Sequence, residues 1–303
     1  MPLPRHMLES TLHQPVTNAR ASGDYHPGAG NFDLGLSSLF YWAIGIAPSK
    51  DDWWTTEVQP GNPYSDKPTE PNWQLQAITI ALSTGPNGPS DGIGYTNASL
   101  VMSTVRGDGV TLKPDRPATT MDAALMNIFS SGDVPDVRST WTAYGGSPSY
   151  RWNYVLSTRL EKNFTFTLED LGAGPLALFD YFNTGAGPQG VLTNPTDIFT
   201  IPTGQGQPSA PAKAHDIFYF VGVPQLPGGW WLYGEAGKIV SMSKQRVPEL
   251  TTLADGFSAS VSIVDGESVT MLIAAADGHL KPTVCSTSPS STLTCTAGSC
   301  SCK

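Results

Sequence analysis

The 303-residue chain carries 17 Lys and Arg against 26 Asp and Glu, for a net charge of −9, and it holds 31 Gly and 26 Pro. With only 14% charged residues, this composition suits a loop- and strand-rich globular protein of one large or two ordinary domains, not a helical bundle or a disordered chain. An acidic balance with no cluster of Lys and Arg argues against nucleic acid as a partner. Five His with no HExxH or CxxC pair give no metal site and imply no cofactor, and no apolar run reaches the ~18 residues of a membrane span.

The opening MPLPRHMLES has no continuous apolar stretch and does not read as a secretory signal. VTNARAS follows as a short strand, and DLGLSSLFYWAIGIA is apolar enough for a buried helix. DDWWTTEV reads as a second strand and PNWQLQAITIALS as a helix with Pro71 near its first turn. A Gly/Pro-rich segment, TGPNGPSDGIG, then leads to ASLVMSTV, a short helix or strand. Strand and helix alternating in this way predict parallel βα units. Lys113, Asp115, Arg116 and Asp122 surround two prolines, a composition that fits an interdomain linker better than a substrate loop. In TTMDAALMNIF, Met121, Ala124, Leu125, Ile128 and Phe129 share one helical face, which predicts a docking helix.

From residue 138 the period changes to two. Tyr150, Trp152, Tyr154, Leu156 and Leu160 fall on even positions, and Phe164, Phe166 and Leu168 continue the alternation. FSASVSIVDGESVTMLIA reads as a hairpin turning at Asp265–Gly266, and GGWWLYGEAGKIV as another. The expectation is an antiparallel β-sandwich over 138–284. Residues 285–303 form a Ser/Thr-rich tail with all four cysteines, Cys285, Cys295, Cys300 and Cys302. Disulfides explain them better than zinc, with three connectivities open and a direct 300–302 bridge the least comfortable. Sequons at Asn97 and Asn163 are glycosylation candidates that add to an extracellular reading. A secreted-type tail behind a head without a signal predicts a chain that lacks its true beginning.

The chemistry sits in the first half. On a strand, Asn18, Arg20, Ser22 and Asp24 point to one face, and Gly23 allows a bend before Asp24. Asp24 is then either a catalytic carboxylate or a turn and capping residue. Of the neighbouring Trp53 and Trp54, one is expected in the core and the other free to stack on a sugar, with Glu57 close by; two core aromatics beside a solvated acid is the competing reading. Asp91 ends the third candidate strand, as a binding residue or a loop aspartate.

ARASGDYHP, SSLFYWAI, WWTTEVQPG, GPSDGIG and LKPDRPATTMD, in this order, resemble the C-terminal part of the melibiase clan of retaining α-galactosidases. The likeness is to the branch of raffinose synthases and alkaline α-galactosidases, and it spans roughly residues 1–125. It implies that Asp24 is a general acid/base, that Arg20 contacts an oligosaccharide or glycoside substrate, and that Trp53, Trp54, Glu57 and Asp91 lie at successive strand ends. Gly23 stands where the family pattern has an acid. MPLPRHM resembles the end of a fifth strand, and the strand bearing the nucleophile would lie further upstream. The implied architecture is the last part of a (β/α)8 TIM barrel over 1–118, a linker and docking helix over 119–137, the β-sandwich and the tail. The implied activity is a retaining glycosidase or transglycosidase acting on α-galactoside-like sugars, supplying an acid/base but no nucleophile. A truncated chain is favoured over a split enzyme needing an N-terminal half-barrel as partner, and over a decayed pseudoenzyme. The alternative is a non-catalytic carbohydrate-binding or structural extracellular protein, with Trp230 and Trp231 as further glycan contacts.

Overall fold

The computed structural model describes residues 16–28, 34–63, 69–132, 134–145, 150–203, 207–208 and 216–303; the MPLPRHM stretch lies outside them. Strand β1 (Asn18–Arg20) is followed by helix α1 (Gly35–Ala43), strand β2 (Ala47–Ser49) and helices α2 (Trp73–Leu82) and α3 (Ala98–Met102). Next come β3 (Thr119–Thr120), α4 (Asp122–Ser131), β4 (Val137–Tyr144), β5 (Tyr150–Thr158), β6 (Phe164–Thr167), β7 (Leu176–Asp180) and β8 (Pro188–Leu192). The chain continues through β9 (Ile198–Ile201), β10 (Gln207–Pro208), β11 (Asp216–Leu226), β12 (Trp230–Glu235), β13 (Glu249–Leu253) and β14 (Gly256–Ser262). It ends with β15 (Val269–Ala274), β16 (Lys281–Cys285), β17 (Ser290–Thr296) and β18 (Ser299–Cys302).

The main sheet runs β16-β15-β12-β11-β5-β4-β3, with β7 and β10 also on β11 and β8 on β7; a second sheet runs β13-β14-β17-β18, and β6 pairs with β9. All of these ladders are antiparallel. The expected partial (β/α)8 barrel is not what forms. Strand holds 38% of the chain and helix 17%, which makes this a mostly antiparallel β protein. Among the described residues, parallel pairing is confined to β1 with β2 and to a single bridge between Trp53 and Pro89. The strand expected over DDWWTTEV forms earlier, at Ala47–Ser49. Beyond it the backbone turns, because the Asp91 carboxylate accepts both the N–H and the hydroxyl of Thr55.

Strand β5 is buried along nearly its whole length, on both faces. Trp152, Tyr154 and Leu156 enter a large core with Tyr219, Val221, Trp230 and Phe257, while Val155 faces a second core with Phe164, Phe166, Leu178 and Phe220. A strand in this position reads as apolar on both sides, and the near-continuous DIFYFVGV run of β11 follows the same logic. Neither expected hairpin forms. β14 pairs with β13 and β17 in one sheet, and β15 pairs with β12 and β16 in the other. The alternation identified both strands, but the Asp265–Gly266 turn carries the chain between sheets instead of folding one strand onto the next. GGWWLYGEAGKIV likewise supplies only β12, which pairs with β11 and β15.

The last 19 residues carry strands too, the end of β16 and the whole of β17 and β18. β17 lies beside β14 with Cys295 opposite Phe257, and disulfides join Cys285 to Cys302 and Cys295 to Cys300. Such bridges persist in an oxidising, extracellular-type environment. Among the described residues no helix is long and apolar enough to cross a membrane.

Helix α2 forms where its sequence predicts a helix, and it buries eight of its ten residues. Helix α1 does not follow its prediction: its buried residues are Gly35, Ser38 and Tyr41, and its apolar residues face outward. The inward side is small because a Cβ at Gly35 would overlap the Thr120 hydroxyl. The docking face of α4 is also only partly used, with Met121 and Ala124 buried but Ile128 and Phe129 exposed.

Candidate functional site

The parallel register of β1 and β2 sets Arg20 opposite Ser49, so the residues after each strand emerge side by side. The Ala21 N–H donates to Ser49 O at 2.8 Å, the Asp51 N–H to Ser22 Oγ at 2.9 Å, and the Tyr25 N–H to Asp51 Oδ2 at 2.7 Å. This stitching brings Arg20 between two carboxylates. Its Nη2 lies 2.6 Å from Asp24 Oδ1 and its Nη1 2.9 Å from Asp51 Oδ2. The Asp24 side chain is 74% exposed, that of Arg20 45%, and that of Asp51 only 21%. Burial pushes Asp51 upward, but the Tyr25 N–H and the guanidinium outweigh it and hold the carboxyl below its ordinary value. Arg20 is in turn raised, chiefly by its bond to Asp51.

The structure does bring Arg20 and Asp24 together, but not through strand periodicity: β1 ends at Arg20, and Asp24 returns to the guanidinium from the non-strand segment that follows. Asp51 is a third member that periodicity did not single out. Its signal was its place at a strand end, in SKDD, one strand over from Asp24.

A buried layer supports the cluster from behind. Glu70 is fully buried and accepts from Tyr25 Oη at 2.9 Å, the Asn72 N–H at 2.8 Å, Gln76 Nε2 at 3.1 Å and the Gly28 N–H at 3.3 Å. A carboxylate at the start of α2 complements the helix dipole, yet burial still raises its pKa. The Tyr25 hydroxyl is pushed far up by burial and by Glu70. Lys50 lies 4.8 Å from the Tyr25 ring centroid and donates to Asp52 O, and burial brings its ammonium down to about 8.

The remaining expected residues fall elsewhere. Trp53 and Trp54 are both buried, so neither offers a face for stacking; Trp53 Nε1 donates to Asn87 Oδ1 at 2.9 Å, and Trp54 packs edge-on to Tyr25. Trp230 and Trp231 are buried as well. Glu57 joins the scaffold through its carbonyl, which accepts the Glu70 N–H at 2.8 Å. Asp91 binds Thr55 and also accepts from Gln59 Nε2 at 2.8 Å, which makes it a residue that fixes the turn. Asn97 caps α3 by accepting the Leu100 N–H at 3.1 Å. Asn163 is exposed just before β6, and its Oδ1 accepts the Thr203 N–H at 2.9 Å. Among the described residues no group of three or more His, Cys, Asp or Glu is gathered to hold a metal.

No protein-family model matches the chain, and no curated protein is significantly similar to it.

Proposed function

We propose that the chain is carbohydrate-active, contributing the acid/base of a retaining glycosidase or transglycosidase that acts on α-galactoside-like sugars. One observation carries the reading: Arg20 holds Asp24 and Asp51 together at the solvent-facing ends of two adjacent parallel strands. The ARASGD segment that resembles the raffinose synthase branch supplies two of these three residues. In this role Asp24, protonated, donates to the glycosidic oxygen and then, as carboxylate, activates water or an acceptor sugar. Arg20 orients Asp24 and donates to sugar hydroxyls. Retention also needs a nucleophilic carboxylate about 5–5.5 Å from the acid. Asp51 is committed to Arg20 and to the Tyr25 N–H, so the nucleophile is not assigned to this chain. The disulfides and the exposed Asn163 sequon support a secretory-pathway setting for this activity.

The test measures hydrolysis of an aryl α-galactoside and galactosyl transfer by this chain with a nucleophile-bearing N-terminal half added back, alongside galactoside binding followed by NMR. Asp24→Asn is expected to lower turnover by about 10²–10⁴-fold, and Arg20→Ala to weaken binding. Wild-type turnover in the Asn variant would end the catalytic reading. The exposure of Asp24 favours one second reading, a non-catalytic site in which the solvated pair grips sugar hydroxyls. Galactoside binding that depends on Arg20, without turnover, selects it; absence of both binding and turnover overturns the two together.

A further inference from the structure

The outward face of α1 and the far end of α4 form the least expected surface of the molecule. Leu36, Leu39, Phe40 and Trp42 on α1, and Met126, Ile128 and Phe129 on α4, are between 40% and 82% exposed. On α1 the burial is inverted, since glycine, serine and tyrosine face inward while leucine, phenylalanine and tryptophan face water. An amphipathic surface helix turns its apolar stripe to the core, so a helix with the opposite burial has its apolar side reserved for another surface. The two helices are neighbours. Gly35 packs on Thr120, two residues before α4, and clefts touching Leu36 on one side and Asn127 and Ser130 on the other share Val134, Pro135, Asp136 and Arg159.

We propose that this face is where a second copy of the chain docks, forming a two-fold symmetric dimer. The first argument is area. With side chains of about 150–250 Å² for aromatics and somewhat less for Leu, Ile and Met, the seven residues leave roughly 700 Å² of apolar surface in water. Summed over both helices, that approaches the ~800 Å² per partner of a standard interface. The second argument is charge. The chain carries −9 overall, so most self-contacts would bring like charges together. Helix α1 has no charged residue, and on α4 only Asp122 is charged. Between the helices, Asp136 is paired with Arg138 and Arg159 at 2.6 and 3.2 Å, so in an isologous contact, where each patch meets its own copy, this face brings no unpaired cluster of like charge against itself.

Light scattering after size-exclusion chromatography, over a dilution series, tests the proposal. The expected mass is twice the 32.2 kDa of the chain, with amide exchange over residues 35–43 slowing as concentration rises. Phe40→Ser and Phe129→Ser, both at exposed positions, are expected to weaken dimerisation about tenfold or more each, with thermal stability of the monomer unchanged. A monomeric wild-type chain overturns the proposal, and one that cosediments with phosphatidylcholine vesicles assigns the face to lipid instead. A dimer indifferent to both substitutions also overturns it, placing the contact elsewhere.

Discussion

Replacing Arg246 by Met tests what holds the two sheets of the β region to each other. The Arg246 side chain is fully buried and its guanidinium is saturated. Nε and Nη2 donate to Glu235 at 2.6 and 3.2 Å, Nη1 and Nη2 donate to Glu267 at 2.8 and 2.6 Å, and Nη1 also donates to Ser262 O. Glu235 belongs to β12 of the main sheet, and Ser262 to β14 of the second sheet. Methionine fills much of the volume but leaves two acids with 7% and 16% side-chain exposure without their shared cation; Lys238, 3.7 Å from Glu235, compensates only in part. Breaking a buried ion pair from one side costs about 3–5 kcal/mol, which at an m-value of about 3 kcal/mol/M moves a urea midpoint down by roughly 1–1.7 M. Tryptophan fluorescence in a urea titration at neutral pH reads this directly. Adding Glu235→Gln to Arg246→Met should recover part of the loss, because one stranded charge is gone. The acid limb gives an independent check. Burial pushes Glu267 up, but Arg246 and the Val264 and Gly107 N–H groups outweigh it and bring it down to about 2. A depressed carboxylate contributes stability that is present above its ordinary 4.5 and lost as pH falls towards 2. The Arg246→Met variant should therefore lose less stability than the wild type between those limits. A loss below about 1 kcal/mol at neutral pH, or parallel acid limbs, would refute the assignment of this triad as the tie between the sheets.

Lys50 carries a second pH prediction, of the same sign but in the alkaline range. With its folded pKa lowered to about 8 from 10.5, the charged form is disfavoured in the fold, so stability should rise with pH between those values by up to about 1.4 kcal/mol per pH unit. The rise should be absent from Lys50→Met when urea midpoints of the two proteins are compared, and parallel profiles would contradict it. Thr79 is buried with no partner for its hydroxyl among the described residues, so Thr79→Val should leave stability unchanged or raise it by about 1 kcal/mol in thermal unfolding; a clear loss would reveal a partner for the hydroxyl. Removing the Cys285–Cys302 bridge by a double Ser substitution should cost about 2–4 kcal/mol, read as a fall in the urea midpoint under oxidising conditions. Expression in a glycosylating secretory host should give a mobility shift reversed by peptide N-glycosidase and abolished by Asn163→Gln; a shift that survives that substitution would transfer the glycan to Asn97.

Strands β5, β6, β12, β14 and β15 were legible in the sequence, and their partners were not, for one physical reason. Alternation records which side of a strand is wet, as in β6, where Phe164 and Phe166 are buried and Thr165 is exposed. It carries no information about which strand lies alongside. Asp265–Gly266 looks like a hairpin turn by composition, yet β14 and β15 separate because Phe257 and Ala259 find Cys295 and Leu293 opposite them, while Met271 and Ile273 pair with the strands of the main sheet. The parallel βα pattern failed in the same way. The chain does make β1, α1 and β2 in sequence, but the next segment is captured by the Asp91–Thr55 bonds before it can extend a third strand. Arg20 and Asp24 were readable because their relation is local, four residues apart in sequence, although β1 ends at Arg20 and Asp24 lies beyond it. Asp51 was not, because only the register of β1 against β2 brings it to the same guanidinium. The tryptophans show the limit from the other side: Trp53 and Trp54 carry the composition of a sugar platform, but Asn87 and Tyr25 take their polar and aromatic contacts into the core. With the tryptophans turned inward, the strand ends present the charged cluster to solvent, and that cluster grips a ligand by hydrogen bonds rather than by stacking.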